Sequence, residues 1–205
     1  MSMGAKHRPA LKTVRQFASG AGGVAAIEFA LVLPIIVLLL LGCFEVPRYI
    51  LIYQKIARTS AGVADLVAQA DEPITGNQVQ DIFIAGKTMM QPYDVVADGK
   101  IYISSINNPN GSGVVLTWQR NNDGKLDEDS KYFSNEGSPP KISLPAGLTP
   151  LSNEEVLISE VFFDYKPIFS TLIYEGSHLF VASYSRPRNK NLMTPPPEPD
   201  SEKDP

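Results

Sequence analysis

The longest run of hydrophobic positions in this chain lies near the N-terminus, between Phe29 and Phe44. Counted from Val24, the apolar segment 24–44 is close to the ~20 residues that an α-helix needs to cross the hydrocarbon core of a bilayer. Pro34 lies inside it, where a proline removes one backbone donor and bends a helix without ending it. The pattern predicts a transmembrane helix over residues 24–44. The alternative is a buried core helix, but soluble helices seldom run this long without polar side chains.

Helical periodicity continues beyond the apolar run. Apolar residues recur at spacings of three, four or seven, at Tyr49, Ile52, Ile56, Val63 and Leu66. Polar residues fall mostly on the other side of the helix, at Gln54, Lys55, Arg58, Asp65 and Gln69. The pattern predicts an amphipathic helix to about Ala70, with a kink position at Pro47 and an end at Asp71-Glu72-Pro73. A second short helix is predicted from Gln78 to Met90.

The remaining hydrophobic pattern is typical of strands. Alternation and β-branched or aromatic residues predict four of them, around Ile101 to Ile106, Val114 to Trp118, Val156 to Tyr165 and Ser177 to Ser185. Asn107 to Gly111 is a predicted turn, Asn121-Asn122-Asp123-Gly124 a predicted type I′ hairpin turn, and residues 136–150 a long Pro- and Gly-rich loop. The predicted fold class is α+β, with a long N-terminal transmembrane helix leading into a small periplasmic domain that contains a four-stranded antiparallel sheet.

Charge is unevenly distributed and indicates the orientation in the membrane. Residues 1–23 carry Lys6, Arg8, Lys12 and Arg15 and no acid, so this leader is expected to stay cytoplasmic. The sequence therefore predicts a basic cytoplasmic leader (1–23), a transmembrane helix (24–44), an extracytoplasmic α+β domain (45–186) and an extended or disordered Pro-rich tail (187–205). We expect a single-pass protein of a bacterial inner membrane.

Composition excludes several functional classes. The formal net charge is -4, so nothing indicates nucleic acid as a partner. The single cysteine, Cys43, permits no intrachain disulfide, and the chain has two histidines, His7 and His178, too few for a structural zinc site. No phosphate loop, dinucleotide fingerprint or nucleophile motif is present, and His178 has no motif nucleophile beside it. The sequence predicts no enzyme activity, no cofactor and no metal.

One acidic loop resembles a calcium site in composition. It follows Gly124 and contains Asp127, Glu128 and Asp129. An EF-hand loop needs an acid at its first position and a glutamate at its twelfth, and here those positions hold Gln119 and Ser130. A solvated acidic loop after a hairpin turn is the better interpretation.

A short motif opens the apolar run. Gly23 is followed five residues later by Glu28, between the basic leader and the apolar helix. This layout resembles a substrate of a type IV prepilin peptidase, which cleaves after the glycine and leaves glutamate as the fifth residue of the mature chain. The glycine at position 23 lets the backbone extend into the active site of the peptidase. The Glu28 carboxylate is energetically costly at this depth in a membrane unless it is paired. The alternative is that Glu28 lies among the lipid headgroups and only favours the helix N-terminus.

The segment Gly23 to Pro34, with the Leu-rich run and then Glu45 and Arg48, resembles the TadE/TadG-like family of minor pilins, or pseudopilins, of the tight-adherence (Flp) pilus machinery. The resemblance implies a part in adhesion and secretion, with a prepilin peptidase, other pilus subunits and the lipid bilayer as partners. It implies that Gly23 and Val24 flank the processing site and that Glu28 acts in assembly. The von Willebrand A-type metal motif of larger members is missing, so the chain resembles the short TadE-like kind. Phe29 departs from the tyrosine that often follows the glutamate in the major pilins.

Leu40-Leu41-Gly42-Cys43 offers a second interpretation, because it resembles a lipobox. In that case Cys43 would be lipidated, cleavage would precede it, and the chain would be a lipid-anchored periplasmic binding module. The residues after Cys43 show helical periodicity, whereas lipoproteins usually continue with a flexible tether. The plainer interpretation of Cys43 is a small apolar residue where the helix leaves the membrane.

Overall fold

A computed structural model describes residues 21–70, 74–134, 141–169 and 176–188. The Pro-rich tail from residue 189 onward, the helix end predicted at residues 71–73 and all but the last three residues of the leader lie outside these ranges. By its internal contacts the chain divides into two compact units, Met1–Pro47 and Arg48–Pro205. The four residue ranges expected from the sequence stay a prediction.

The first unit contains the beginning of helix α1, which runs from Ala21 to Ala68. In this part of α1 the apolar side chains from Val24 onward are largely exposed, and Pro34 and Pro47 are both accommodated inside the helix. The helix is long and apolar enough to cross a membrane, and its most apolar window is not buried in the protein. An exposed apolar helix needs an apolar solvent, and α1 is therefore consistent with a single-pass membrane anchor.

The second unit begins with the amphipathic part of α1, which buries one side. Of the apolar positions that the periodicity predicted, Ile52, Ile56 and Val63 are fully buried, whereas Leu66 is partly buried and Tyr49 is 36% exposed. Helix α2 (Gly76–Met90) follows, and helix α3 (Val95–Asp98) is a single turn capped by Asp94. Thr75 and Gln78 form a capping box at the start of α2, which satisfies two backbone donors and explains where this helix begins.

The second unit also contains an antiparallel sheet whose four main strands match the four predicted ones. Its order is β2-β1-β5-β6. The bounds are Gly99–Asn107 for β1, Val115–Asn121 for β2, Glu155–Tyr165 for β5 and Ser177–Ser185 for β6. The predicted turn between β1 and β2 contains a short 3₁₀ helix, Pro109–Gly111, with Asn110 in the left-handed region. The predicted fold class is confirmed at this level, as an apolar N-terminal helix followed by a four-stranded antiparallel sheet.

One face of this sheet packs against the helices. The fully or nearly fully buried residues of this layer come from α1, α2, α3 and all four main strands, and include Ile56, Val79, Val95, Ile101 and Val161. Ser60 lies in the same layer, and its Oγ donates a hydrogen bond to the Ser159 carbonyl oxygen at 2.9 Å. Burial of this apolar surface is the main favourable contribution to the stability of the second unit.

The other face of the sheet is covered by the segment between β2 and β5. Phe133, with Tyr132, Ile142 and Leu148 packed beside it, covers Ile106, Val156 and Ile158. Part of this segment pairs as two short strands, β3 (Phe133–Ser134) and β4 (Lys141–Ile142), where the sequence predicted only a loop. Strand β5 is consequently buried on both faces, although its pattern suggested one main apolar face.

The predicted type I′ hairpin turn at Asn121 to Gly124 is wrong. A type I′ turn over these four residues needs positive φ at both central residues, and here Asp123 (φ 52°) has it whereas Asn122 does not. The strand that pairs with β2 is β1, and the chain moves away after Asn121 to cover the sheet. Gly124 is required for another reason, because a Cβ there would lie 2.2 Å from the Gly99 carbonyl oxygen.

Candidate functional site

The predicted processing residues lie in the first turns of helix α1. Gly23 is the third residue of the helix, Val24 follows with 61% of its surface exposed, and the bond between them is reachable from outside the protein. Backbone at a helix end frays easily, because the first four N–H groups lack intrahelical acceptors. A peptidase could therefore pull this bond into an extended conformation without unfolding the rest of the helix.

Glu28 is an isolated acid on an otherwise apolar surface. Its side chain is exposed, as are those of Ile27 (65%) and Phe29 (60%), which flank it. Within the described residues its carboxylate makes no hydrogen bond or ion pair. An unpaired carboxylate facing lipid costs on the order of 2–3 kcal/mol near the bilayer centre and less toward the edge. A partner for Glu28 would have to come from outside the described part of the chain.

Cys43 lies inside helix α1, and its thiol is free and exposed. The helix continues without interruption from Cys43 to Ala68. Gly42, which precedes it, has no atom near the position that a Cβ would take. The residues after Cys43 therefore form a helix and not a flexible tether, as their periodicity predicted.

At the start of the second unit, two side chains of α1 contact the end of β5 and the loop that follows it. The Arg48 guanidinium donates to the Lys166 carbonyl oxygen at 2.9 Å and lies 5.4 Å from the centre of the Tyr165 ring. The Tyr49 ring meets the Tyr165 ring edge-to-face, with 5.2 Å between centroids. The Lys166 ammonium pairs with the Asp98 carboxylate, which raises the pKa of Lys166. Sequence reasoning used Arg48 only as part of a family resemblance, because its partners lie more than a hundred positions away.

Two glutamates in the sheet are buried, and sequence reasoning did not single them out. Glu160 accepts hydrogen bonds from Ser130 Oγ and from the Lys131 N–H, and Glu155 accepts one from Ser105 Oγ at 2.5 Å. Burial raises the pKa of both carboxyl groups, and these hydrogen bonds partly oppose the rise. Glu160 fastens the covering segment to the sheet, so its role is structural.

His178 lies beside two acids at one end of the sheet. Its Nδ1 is 2.5 Å from Asp164 Oδ1 and 3.6 Å from Glu128 Oε1. The described residues contain no group of three or more His, Cys, Asp or Glu side chains arranged to hold a metal ion. In the neighbouring turn the side-chain oxygens of Asn121 and Asn122 accept backbone N–H groups, so they brace the turn.

A shallow cavity of about 320 Å³ lies between the segment 147–156 and the end of β6. Glu154 and Arg186 form an ion pair across it, with 2.9 Å between Oε1 and Nε. Tyr184 also lines it and donates to the Tyr132 hydroxyl at 2.8 Å, and burial together with this contact raises the pKa of Tyr184. The Glu154, Arg186 and Tyr184 side chains are engaged in these contacts, and none of the three is positioned as a nucleophile with a base.

Comparison with known proteins finds a family match that lies within helix α1. Residues 23–65 match the family model of the TadE-like proteins. The match begins at Gly23, includes Val24, Glu28 and Cys43, and ends within the part of α1 that packs on the sheet. Comparison with curated proteins and with solved structures returned no match. The chain therefore matches a TadE-like domain over residues 23–65, all of them within helix α1.

Proposed function

We propose that this chain is a non-enzymatic assembly subunit, a minor pilin or pseudopilin, of a Flp-type IVb pilus or tight-adherence secretion system. It is held in the bacterial inner membrane by residues 24–44, with its N-terminus cytoplasmic and its sheet domain periplasmic. The observation that carries the proposal is the TadE-like match beginning at Gly23, at the head of an exposed apolar helix. The pilus partners follow from the family, and the peptidase and bilayer follow from the motif and the helix.

Processing is the first step of the proposed function. A prepilin peptidase cleaves between Gly23 and Val24, and Val24 becomes the first residue of the mature chain. The position of this bond in the fraying first turn of α1 supports the step. Cleavage removes the basic leader and creates an α-amine at Val24, whose ordinary pKa of about 7.7–8.0 keeps it mostly protonated.

Assembly then uses the Glu28 carboxylate. In a single helix the new amine lies one turn from Glu28, and between packed helices the amine of one subunit can pair with Glu28 of its neighbour. Either pairing offsets the cost of a carboxylate in lipid, and the second also sets the axial register of the subunits. Apolar side chains set register poorly in a membrane, because they pack about equally well after a shift along the helix.

The competing function is a lipid-anchored periplasmic binding module that begins at Cys43. The continuous helix from Cys43 to Ala68 supports the pilin proposal over this one, because a lipoprotein tether is usually flexible. The ion-paired cavity near Arg186 offers no ready ligand site. The mass of the mature N-terminus separates the two proposals, since one chain begins at Val24 and the other at a lipidated Cys43.

The test compares the full chain and its variants in a bacterial host that carries the pilus machinery. Intact mass gives the N-terminus, and pull-down or crosslinking gives the association with other pilus subunits. We expect Glu28→Leu to insert and to be cleaved at Val24, because it only raises apolarity, yet to lose co-purification with its partners. Glu28→Asp, shorter by one methylene, should lose part of it.

Phe29→Leu is the matched control, since it changes the neighbouring exposed side chain without changing charge, and it should assemble like the wild type. If Glu28→Leu co-purifies as well as Phe29→Leu, the carboxylate has no part in assembly. A mature chain that begins at a lipidated Cys43 would instead replace the pilin proposal with the lipoprotein one.

A further inference from the structure

In the second unit, the exposed side of helix α1 is apolar at its start and becomes polar one to two turns later. Ile50, Leu51 and Tyr53 are 47%, 61% and 46% exposed, although all three belong to the folded second unit. The exposed positions then change character, and Gln54 and Arg58 are the next ones outside the core. A contiguous apolar patch on an exposed helix face marks a site that contacts a protein or a membrane instead of water.

The loop after β5 adds a further exposed apolar residue at the same end of the unit. Ile168 is 64% exposed. Arg48 and Tyr49, the first two residues of the second unit, contact this loop through the Lys166 carbonyl oxygen and the Tyr165 ring. These contacts hold Ile168 close to the beginning of the unit. Ile50, Leu51, Tyr53, Lys166 and Ile168 are referred to below as the interfacial surface.

The charges around this surface suit a layer of lipid headgroups. Arg48 and Lys166 bring two cations to it, and 71% of the Lys166 side chain is exposed even though its ammonium pairs with Asp98. Arginine and lysine with tyrosine are the side chains enriched where a membrane protein meets the headgroups, because each combines an apolar body with a polar end. Lipid phosphates supply the complementary negative charge.

We propose that the interfacial surface rests in the outer headgroup layer of the bilayer that residues 24–44 span, so that the sheet domain lies on the membrane. The inference depends on the proposed membrane anchoring. Arg48 is four residues beyond Phe44 in the continuous helix α1, so at ~1.5 Å per residue it lies only about 6 Å further along the helix. The headgroup layer on each side of the hydrocarbon is about 5–7 Å thick. The start of the unit therefore stays within reach of the headgroups, and its exposed apolar residues are covered by lipid.

The occupant of this surface is the bilayer, and a second protein copy is the competing outcome. The apolar patch ends at Tyr53 and includes residues of both α1 and the loop after β5, instead of continuing along the length of the helix. Lipid covers a region defined by its depth in this way, whereas a helix-packing partner would favour a stripe along the length of α1.

The test places an environment-sensitive fluorophore (NBD) on single cysteines in full-length protein reconstituted into phosphatidylethanolamine–phosphatidylglycerol vesicles. Cys43→Ala removes the native thiol, and cysteine then replaces Ile168 in one variant and Leu151 in another. Leu151 is the matched control, since it is also an exposed aliphatic residue (70%) but lies next to the other end of β5. A third variant, Ile36→Cys, reports on the anchor itself.

We expect the probe at position 168 to shift to shorter wavelength and to lose fluorescence when lipids with spin labels at the headgroup are added. The probe at position 151 should do neither, and the probe at position 36 should be quenched by lipids labelled deep in the acyl chain. Quenching at 36 without quenching at 168 overturns the docking proposal and leaves the anchor intact. A blue shift at 168 without lipid quenching assigns the surface to a protein copy, which also overturns it. Absence of quenching at 36 shows that the anchor itself fails.

Discussion

At the scale of single residues, three glutamates of this protein lie in two opposite environments. Glu28 is exposed on an apolar helix, whereas Glu155 and Glu160 are buried in the sheet domain with hydrogen-bond donors beside them. Glu160 accepts hydrogen bonds with both of its carboxylate oxygens from another part of the same chain, so it serves the fold. An exposed carboxylate that faces lipid requires a partner from elsewhere, and this difference is why Glu28 alone is proposed for assembly.

Burial of Glu160 predicts a pH dependence of stability. Its pKa is raised above the value of 4.5 that applies to the unfolded chain, so the folded state binds the proton more tightly. The unfolding free energy therefore decreases as pH rises from about 4.5 through the raised pKa, by at most ~1.4 kcal/mol per pH unit for one proton. In Glu160→Gln the amide can still accept from Lys131, and we expect a flatter profile in urea titrations of the full chain in detergent.

Ser130→Ala provides the opposite control for this prediction. The hydrogen bond from Ser130 lowers the pKa of Glu160, so its removal should raise that pKa further and extend the decrease to higher pH. Glu155 contributes a decrease of the same sign, which should persist in both variants. An unchanged slope in Glu160→Gln would show that Glu160 does not titrate differently in the folded and unfolded states.

At the scale of elements, helix α1 adapts to two kinds of surroundings. Up to Pro47 its apolar side chains are largely exposed, and from Ile52 onward one side of the helix is buried against the sheet while the other is mostly polar. A helix can do both because its backbone hydrogen bonds are internal, so only the side chains need to match the surroundings. Helix α2 is shorter and depends more on its ends.

The capping box of α2 gives a prediction at this scale. Thr75 Oγ1 accepts from the Gln78 N–H at 3.3 Å, and Gln78 Oε1 accepts from the Thr75 N–H at 2.8 Å. Thr75→Ala should lower the unfolding free energy by about 1 kcal/mol, because a helix N–H loses its acceptor. The measurement is the urea midpoint of the full chain in detergent.

Thr88→Ala is the matched control, since Thr88 is also an exposed threonine and lies inside the helix that Thr75 caps. Its hydroxyl donates to the Ile84 carbonyl oxygen, which already has a helical partner, and alanine is the better helix former. We expect little change or a small gain in stability. Equal losses in the two variants would indicate that the cap adds nothing beyond a general effect of removing threonine.

At the scale of the whole molecule, the sheet domain has three layers, with helices on one face of the sheet and the β2–β5 segment on the other. Glu160 joins the sheet to this outer segment through Ser130 and Lys131. The arrangement gives the domain a core on both sides of β5.

Topology across the membrane is the prediction for the whole chain. Because residues 1–23 are basic and without acids, we expect the leader to remain cytoplasmic and the sheet domain to be exported. Alkaline phosphatase fused after Arg186 should be active in a bacterial host, since its disulfides form only outside the cytoplasm. The same enzyme fused after Arg15 should be inactive. The reverse pair of activities would contradict the proposed orientation.

The sequence by itself determined the features that depend on neighbouring residues. The long apolar helix near the N-terminus, its amphipathic continuation and the four main strands follow from the spacing of apolar residues, which adjacent positions report directly. The TadE-like match over residues 23–65 agrees with that part of the interpretation. Such features are predictable because their physical cause lies within one or two turns of chain.

The tertiary structure alone decided which groups are buried and which distant parts meet. Nothing near Glu160 in the sequence shows that a segment beginning thirty positions earlier returns to cover its face of the sheet. The same holds for Arg48, whose carbonyl partner is 118 positions away, and for Gly124, which is required by the approach of Gly99 and not by its own turn. Burial and close approach depend on packing between elements that are distant in the sequence, so they cannot be inferred from local periodicity.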